Sequence, residues 1–186
     1  MTGRRAGLAV AAACLALAGA GATYASSTAA SASPGSPTAG QQLASIRAAT
    51  AKYHQLSAAQ DAGWNTLFAD VNGLTCIQDT DSPSMGGMGF HWLDFDNLGS
   101  TDPLKPLALI YAPSGDGGVR FAGMEYLVPD PDGKTPQPSL NGVPFMHTDA
   151  PNRFLGDTAF WSLHVWAWDH NPHGTYEMWN PKITCP

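Results

Sequence analysis

His91, Glu125 and His164 are the residues of this 186-residue chain best placed to do chemistry. Each falls in an apolar, strand-like segment, where side chains alternate between two faces. Because an unpaired buried carboxylate is energetically costly, a buried glutamate is normally protonated, paired or bound to a metal. Two imidazoles and one carboxylate on neighbouring strands form a facial ligand set that suits a divalent metal with open coordination positions.

The expected faces follow from the period of two within each predicted strand. We predict that Glu125 shares a face with apolar residues of its own strand, and that each histidine does the same. The expected companions are Val119, Phe121, Gly123 and Leu127 for Glu125; Phe160, Ser162, Trp166 and Trp168 for His164; Leu93 and Phe95 for His91.

Two further residues are candidate metal contacts. His54 adjoins Tyr53 at the edge of the apolar stripe of a predicted helix, and Met88 follows Met85 in the Gly-rich segment before His91. A thioether combined with imidazole favours copper, although zinc, manganese and iron also suit this donor set. The alternative is that His91, Glu125 and His164 form a hydrogen-bonded polar network that only stabilises the sheet.

Other residue patterns point to weaker possibilities. His147 lies in a Pro-rich segment that could close over a site, and His170 and His173 lie in a predicted turn, where exposure is the usual outcome. A glycan or cell-wall polymer could stack on the tryptophans, which would make the protein a non-catalytic extracellular binding module. The aromatic residues concerned are Trp161, Trp166, Trp168 and Trp179.

The sequence leaves open whether the protein is an enzyme and which small molecule it would bind. No Gly-x-Ser-x-Gly elbow, phosphate-binding loop, dinucleotide fingerprint or His-Glu-x-x-His motif occurs in it. A formal net charge of −6 without a basic run argues against a nucleic-acid partner. Only two glutamates, with 20 glycines and 15 prolines, argue against a helical bundle.

The N-terminal residues are typical of an export signal. Arg4 and Arg5 precede an apolar run from Leu8 to Ala22 and then small residues, which predicts a signal peptide over residues 1–25. A Ser/Ala/Pro-rich stretch over residues 26–40 predicts a flexible linker, and residues 41–186 a single globular domain. We therefore expect a secreted protein that has no stable membrane insertion after signal removal.

Two cysteines remain once Cys14 leaves with the signal. Cys76 and Cys185 lack the close spacing of redox or zinc motifs. An even number of cysteines in an oxidising compartment favours a disulfide between them.

The elements that must position the candidate site predict an α+β fold, with one N-terminal helix packed on a mainly antiparallel sheet. Apolar residues at helical spacing predict a helix from Thr38 to about Trp64. Four strands are expected, and a Gly-rich turn between the second and third predicts a hairpin. The strands are Gly89 to Phe95, Leu107 to Tyr111, Val119 to Val128, and Phe160 to Trp168.

The Pro-rich segment 129–151 has two interpretations. A long connection without a clear period is often a functional flap. It could equally wrap the sheet and bury Leu140, Val143 and Phe145.

Several short motifs together resemble a family of small secreted bacterial proteins of uncharacterised function. The segments are Ala51–His54, Gly87–His91, Gly123–Pro129, Leu163–Trp166 and Trp179–Pro181, with Cys185 near the C-terminus. The resemblance covers the whole mature domain and implies a shared fold and export. It implies no activity, substrate or cofactor.

Overall fold

The computed structural model describes residues 37–186; the predicted signal peptide and most of the predicted linker lie outside this range. The first helix, α1, spans Ala39–Thr50. Thr38 is its N-cap, and a capping box forms because the Gln41 amide donates to the Thr38 hydroxyl while the Thr38 amide donates to the Gln41 side chain. The predicted start of the helix is therefore confirmed.

The helix does not run unbroken to Trp64. A 3-10 turn at Ala51–His54 follows α1, Gln55 is extended, and a short helix, α2, spans Leu56–Asp61. The Tyr111 hydroxyl donates a 2.6 Å hydrogen bond to the Tyr53 carbonyl. That carbonyl would otherwise accept from the next turn of helix, so a contact from the sheet competes with helix continuation.

Nine strands complete the fold of residues 37–186, and the α+β prediction is confirmed. Seven of them form one antiparallel sheet in the order β1-β3-β4-β5-β9-β8, with β2 also paired to β3. β6 and β7 form a separate two-stranded sheet. The strands are β1 Thr66–Leu67, β2 Cys76–Gln78, β3 Gly87–Leu93, β4 Ala108–Pro113, β5 Val119–Pro129, β6 Ser139–Leu140, β7 Val143–Pro144, β8 Met146–Thr148 and β9 Phe160–Val165.

The two faces of the large sheet are packed differently. On one face the helical segment covers the largest hydrophobic cluster, the main core, which includes Ile46, Tyr53, Tyr111, Met124 and Tyr126. The opposite face carries a smaller apolar cluster. β4 is buried on both faces, as its continuous apolar run predicts, and it forms the expected hairpin with β5.

A β-bulge changes the predicted phase of β5. Ile110 pairs with Gly123 and Tyr111 pairs with Phe121, so Ala122 is an extra residue and alternation restarts after it. Phe121 consequently packs in the main core, with Val119 against it. The prediction that these two residues share a face with Glu125 is wrong, whereas Leu127 does lie on the Glu125 side.

The end of the last strand also differs from expectation. β9 stops at Val165 instead of reaching Trp168. The amide of Trp168 then donates to the Ala122 carbonyl, and its ring packs against the main core, 6.1 Å from the Phe121 ring. The prediction that Trp168 shares a face with His164 is therefore wrong, because alternation ends with the strand.

The Pro-rich segment wraps the sheet. It forms the β6–β7 hairpin and then edge strand β8, which pairs with β9. Leu140 and Phe145 are buried in the main core and Val143 packs against it, as the covering interpretation predicts.

The predicted disulfide between Cys76 and Cys185 is present and joins β2 to the C-terminal segment across 109 positions. Of the helices within residues 37–186, none is both long and apolar enough to cross a membrane.

Candidate metal centre

Four consecutive strands of the sheet, β3, β4, β5 and β9, build the site, and the candidate residues lie on β3, β5 and β9. In one row across the sheet, Leu93 pairs with Ala108, Ala108 with Glu125, and Glu125 with His164. Glu125 and His164 are therefore direct cross-strand neighbours. His91 lies on β3, beyond β4 and two residues before Leu93, and Ala108 is the β4 residue between Leu93 and Glu125 in this row.

The side chains of His91, Glu125 and His164 converge. The two Nε2 atoms of the histidines are 3.5 Å apart, and His91 Nε2 lies 3.7 Å from Glu125 Oε2. One ligand atom from each residue lies within 4.8 Å of the others. The structure thus brings together all three residues that the strand patterns singled out.

Burial makes the charged forms of all three groups unfavourable. It raises the pKa of Glu125 to about 8. It lowers the pKa of His91 to about 4, which the Gly89 backbone opposes only in part. The pKa of His164 is lowered well below its usual value by burial and then by the nearby His91. Both imidazoles are therefore neutral at physiological pH, as metal ligands must be.

Hydrogen bonds do not account for the arrangement. The 3.7 Å separation of His91 and Glu125 is beyond ordinary hydrogen-bond length, and the contact between the histidines is at its long limit. Within residues 37–186, the buried Nδ1 atom of His164 has no hydrogen-bond partner, and His91 has only a contact with the Gly89 backbone that falls outside hydrogen-bonding geometry. Buried polar atoms are normally satisfied, and exceptions often mark an ion or water site.

The spacing of the donor atoms suits a metal ion. Two ligands each about 2.0–2.1 Å from an ion in tetrahedral geometry lie about 3.4 Å apart. Two of the three observed separations, 3.5 Å between the histidines and 3.7 Å between His91 and Glu125, are close to that value. The third separation, between His164 and Glu125, is longer and lies within 4.8 Å. Aromatic neighbours orient the imidazoles: Trp166 stacks on His164 at 5.8 Å, and Phe68 meets the edge of His91 at 6.2 Å between ring centroids.

The three ligands line a cavity of about 320 Å³ on the face of the sheet that carries the smaller apolar cluster. Its walls are mainly apolar. Besides the three ligands, its lining includes two polar side chains, the hydroxyls of Thr158 and Ser162. Exposed Phe95, Leu98 and Leu155 also contribute to the lining. Apolar residues that line it include Leu93, Leu107, Leu127, Phe154, Phe160 and Met178.

Sequence reasoning missed part of this wall. Phe154, Leu155 and Thr158 belong to an irregular segment after the Pro-rich region, which carries no periodic pattern. The segment is held by Arg153, whose guanidinium donates to Asp70 Oδ2 at 2.7 and 3.1 Å and to the Gln78 carbonyl at 3.0 Å. The isolated Arg153 and Asp70 gave no sequence signal because they lie 83 positions apart.

Met88 reaches the cavity because of a second β-bulge. Ile77 pairs with Gly89 and Gln78 with Gly87, so Met88 is the extra residue of β3. Gly89 has a φ of +85°, and a Cβ there would lie 2.5 Å from the Tyr111 carbonyl oxygen, so a side chain is excluded. Met88 is buried and lines the cavity with His91.

The other candidate histidines lie elsewhere. His54 packs edge-on against Trp168 at 4.3 Å and Phe121 at 5.7 Å between ring centroids, on the main-core side, outside the three-residue group. His147 contacts Asp130 at 2.9 Å and Asp149 at 3.1 Å on the edge strand. His170 and His173 are exposed, as predicted for a turn.

Comparisons with known proteins identify no relative: no protein-family model, no curated protein and no solved structure matches the chain.

Proposed function

We propose that the protein is an exported, single-domain protein that binds one divalent transition-metal ion through His91, Glu125 and His164. One observation carries the proposal: three donor atoms from three different strands lie within 4.8 Å of one another at the wall of an apolar cavity. Export is supported by the signal-like N-terminus and by the disulfide, which suits an oxidising compartment. Kinship with the small secreted family that the motifs resemble stays a prediction.

The donor set favours certain ions. Calcium and magnesium prefer oxygen ligands, whereas two imidazoles and a carboxylate suit zinc, copper, manganese or iron. Met88 is a further candidate contact, and a thioether in the set would favour copper. Such an ion supplies Lewis acidity or an activated water when bound.

The chain's own residues define what the site can do. Glu125 would supply a negative charge once its proton is released on metal binding, the two imidazoles supply neutral nitrogens, and the apolar walls limit water around them. Because all three ligands line the cavity, open coordination positions would face it. A purely structural polar network is a weaker account, since within residues 37–186 the His164 Nδ1 atom has no hydrogen-bond partner and the His91–Glu125 contact, at 3.7 Å, is too long for one.

A second candidate function is non-catalytic binding of a glycan or wall polymer. A polar surface depression of about 400 Å³, lined by Trp166, Trp168 and Asp169 among others, favours this idea. However, Trp166 is buried, and the Trp168 indole donates to the Thr50 hydroxyl while His54 packs against its ring. Glycan-array binding that is lost in Trp168→Ala and kept in Glu125→Ala would favour this candidate over the metal site.

The direct test of the proposal is metal content. Protein purified without a histidine tag should contain about one equivalent of zinc, copper, manganese or iron by elemental analysis, or take it up after chelation. Saturation at about 100 times Kd should raise Tm by roughly 5–10 °C.

Three variants separate the site from adventitious binding. His164→Ala and Glu125→Gln should lose the ion, whereas His173→Ala, which alters an exposed histidine outside the group, should keep it. Circular dichroism checks that each variant is folded. Absence of any bound ion and of any thermal shift with the four metals would overturn the proposal, and so would equal uptake by wild type and His164→Ala.

A further inference from the structure

The cavity beside the metal ligands has the size and surface of a small-molecule site. Its volume of about 320 Å³ lies at the lower end of the range of roughly 300–1,000 Å³ typical of ligand pockets. Four phenylalanines contribute to its lining, together with leucine, isoleucine and methionine side chains. A ligand that fills this space must therefore be largely apolar, since a polar body would lose its hydration without gaining hydrogen bonds.

The charge of the site specifies the polar end of that ligand. A divalent ion held by one carboxylate and two neutral imidazoles carries one net positive charge. A buried net charge is costly unless an opposite charge compensates it. A single anionic oxygen group on the ion would make the site neutral, whereas a cationic group would add repulsion.

The mouth of the cavity indicates how such a molecule would lie. Phe95, Leu98 and Leu155 line the cavity and are 59%, 46% and 37% exposed. His91 and His164 are 3% and 1% exposed and the Glu125 side chain is 14% exposed, so the three ligands belong to the buried part of the cavity. The cavity is thus polar at its buried end and apolar out to the solvent, which matches a molecule with one charged end and an apolar body.

We infer that the site takes a monoanionic amphipathic small molecule, a carboxylate with an alkyl or aromatic body, whose oxygen head binds the ion and whose body occupies the cavity. This inference rests on the proposed metal site. It specifies the ligand class that the metal donors alone leave open.

The experiment titrates the ion-loaded protein with a series of straight-chain carboxylates of four, six, eight and ten carbons. Co²⁺ serves as the probe ion because its visible absorption reports its ligands, and calorimetry gives the affinity. Affinity should rise roughly fourfold per added CH₂ until the chain reaches the mouth. Each carboxylate should also change the Co²⁺ spectrum, and decyltrimethylammonium should leave it unchanged.

A matched pair of variants locates the tail. Leu98→Glu places a charge at the mouth and should weaken decanoate binding at least about threefold, because apolar contact is lost. Leu104→Glu changes a leucine that is 52% exposed and does not line the cavity, so the affinity should stay within about twofold. Both positions are exposed, so both variants should fold.

The outcomes separate the two proposals. Ion binding with an affinity that does not depend on chain length would overturn the ligand inference and leave the metal site intact. Chain-length dependence without a change in the Co²⁺ spectrum would overturn it as well, because the head would not be on the ion. Failure to bind Co²⁺ or any of the other four metals would overturn both.

Discussion

Asp70 and Glu125 are both acids with little solvent exposure, but their surroundings differ. Asp70 Oδ1 accepts from the amides of Asn72 and Leu74, each at 2.9 Å, and Oδ2 accepts two bonds from Arg153. Burial alone would raise the pKa of Asp70, but the Leu74 amide, Arg153 and the Asn72 amide together hold it below its usual value. Its hydrogen-bonding capacity is filled.

Among the residues that the structure describes, Glu125 has no comparable set of partners. Burial raises its pKa to about 8, and its one ion-pair contact there, with His91 Nε2, is 3.7 Å long. The difference teaches how to separate structural from functional acids in this fold. Asp70 anchors Arg153 and with it the cavity wall at Phe154 and Leu155, whereas Glu125 is left open at the cavity surface. An acid with unfilled coordination in a cleft is a candidate for function.

The largest expected effect on stability comes from removing the fully hydrogen-bonded carboxylate of Asp70. Asp70→Ala should lower the free energy of unfolding by about 3 kcal/mol, because it leaves Arg153 half-buried without its carboxylate. Denaturant unfolding measures this. Asp132→Ala is the matched control, since its pair with Lys134 is exposed and should contribute less than about 1 kcal/mol. Equal losses in the two variants would remove the structural role assigned to Asp70.

The next largest effect concerns metal affinity and the proposed ligands Glu125 and His91. Glu125→Gln and His91→Ala should each weaken metal binding at least about a hundredfold, because losing even a supporting residue around ligands costs about 10–100-fold. Competition titration against a chelator of known affinity measures the change. Glu125→Gln should leave the stability of the ion-free protein near neutral pH undiminished, the opposite of Asp70→Ala. Metal affinity retained in Glu125→Gln would show that this acid is not a ligand.

A pH effect follows from the shifted groups of the ion-free protein. Glu125 has a folded pKa of about 8, above its usual value of 4.5, so its contribution to stability is full below pH 4.5 and is lost as pH rises through 8. His91 has a folded pKa of about 4, below 6.5, so its contribution is full above 6.5 and is lost as pH falls through 4. The pKa of His164 is lowered as well and acts in the same direction as His91.

Together these groups place the stability maximum of the ion-free protein near pH 6.5. Between pH 6.5 and 8, wild type should lose about 1 kcal/mol or more relative to Glu125→Gln. Urea unfolding of both proteins across this range tests the expectation, with Asp132→Asn as a control for a charge change at an exposed acid. If the free energies of unfolding of wild type and Glu125→Gln changed in parallel with pH, burial would not disfavour the ionised form of Glu125.

The smallest expected effect is at His54. His54→Ala should change metal affinity by less than about twofold, because this ring packs against Trp168 and Phe121 on the main-core side. The same chelator competition measures it. A loss comparable to that of His91→Ala would return His54 to the ligand set.

The candidate site was predictable from sequence to the extent that strand alternation is regular. Glu125, Leu127 and Pro129 follow one another at period two, so the face of Glu125 could be identified from its C-terminal neighbours. Phe121 could not, because the bulge at Ala122 depends on pairing with β4 and has no marker in the local pattern. Met88 reached the cavity by the same kind of irregularity.

Long-range features were out of reach for a related reason. The break after α1 depends on the Tyr111 hydroxyl, and the cavity wall depends on the Asp70–Arg153 pair; both join residues far apart in the chain. The disulfide was predictable, because only one pairing was possible once Cys14 was assigned to the signal.

Anomalous diffraction from crystals of the metal-loaded protein tests the central claim most directly. Data collected on both sides of the absorption edge of the bound metal should give one strong peak about 2.0–2.2 Å from His91 Nε2, His164 Nε2 and a Glu125 carboxylate oxygen. A loaded crystal with no peak at these atoms, or with its peak at His170 and His173 instead, would contradict the account.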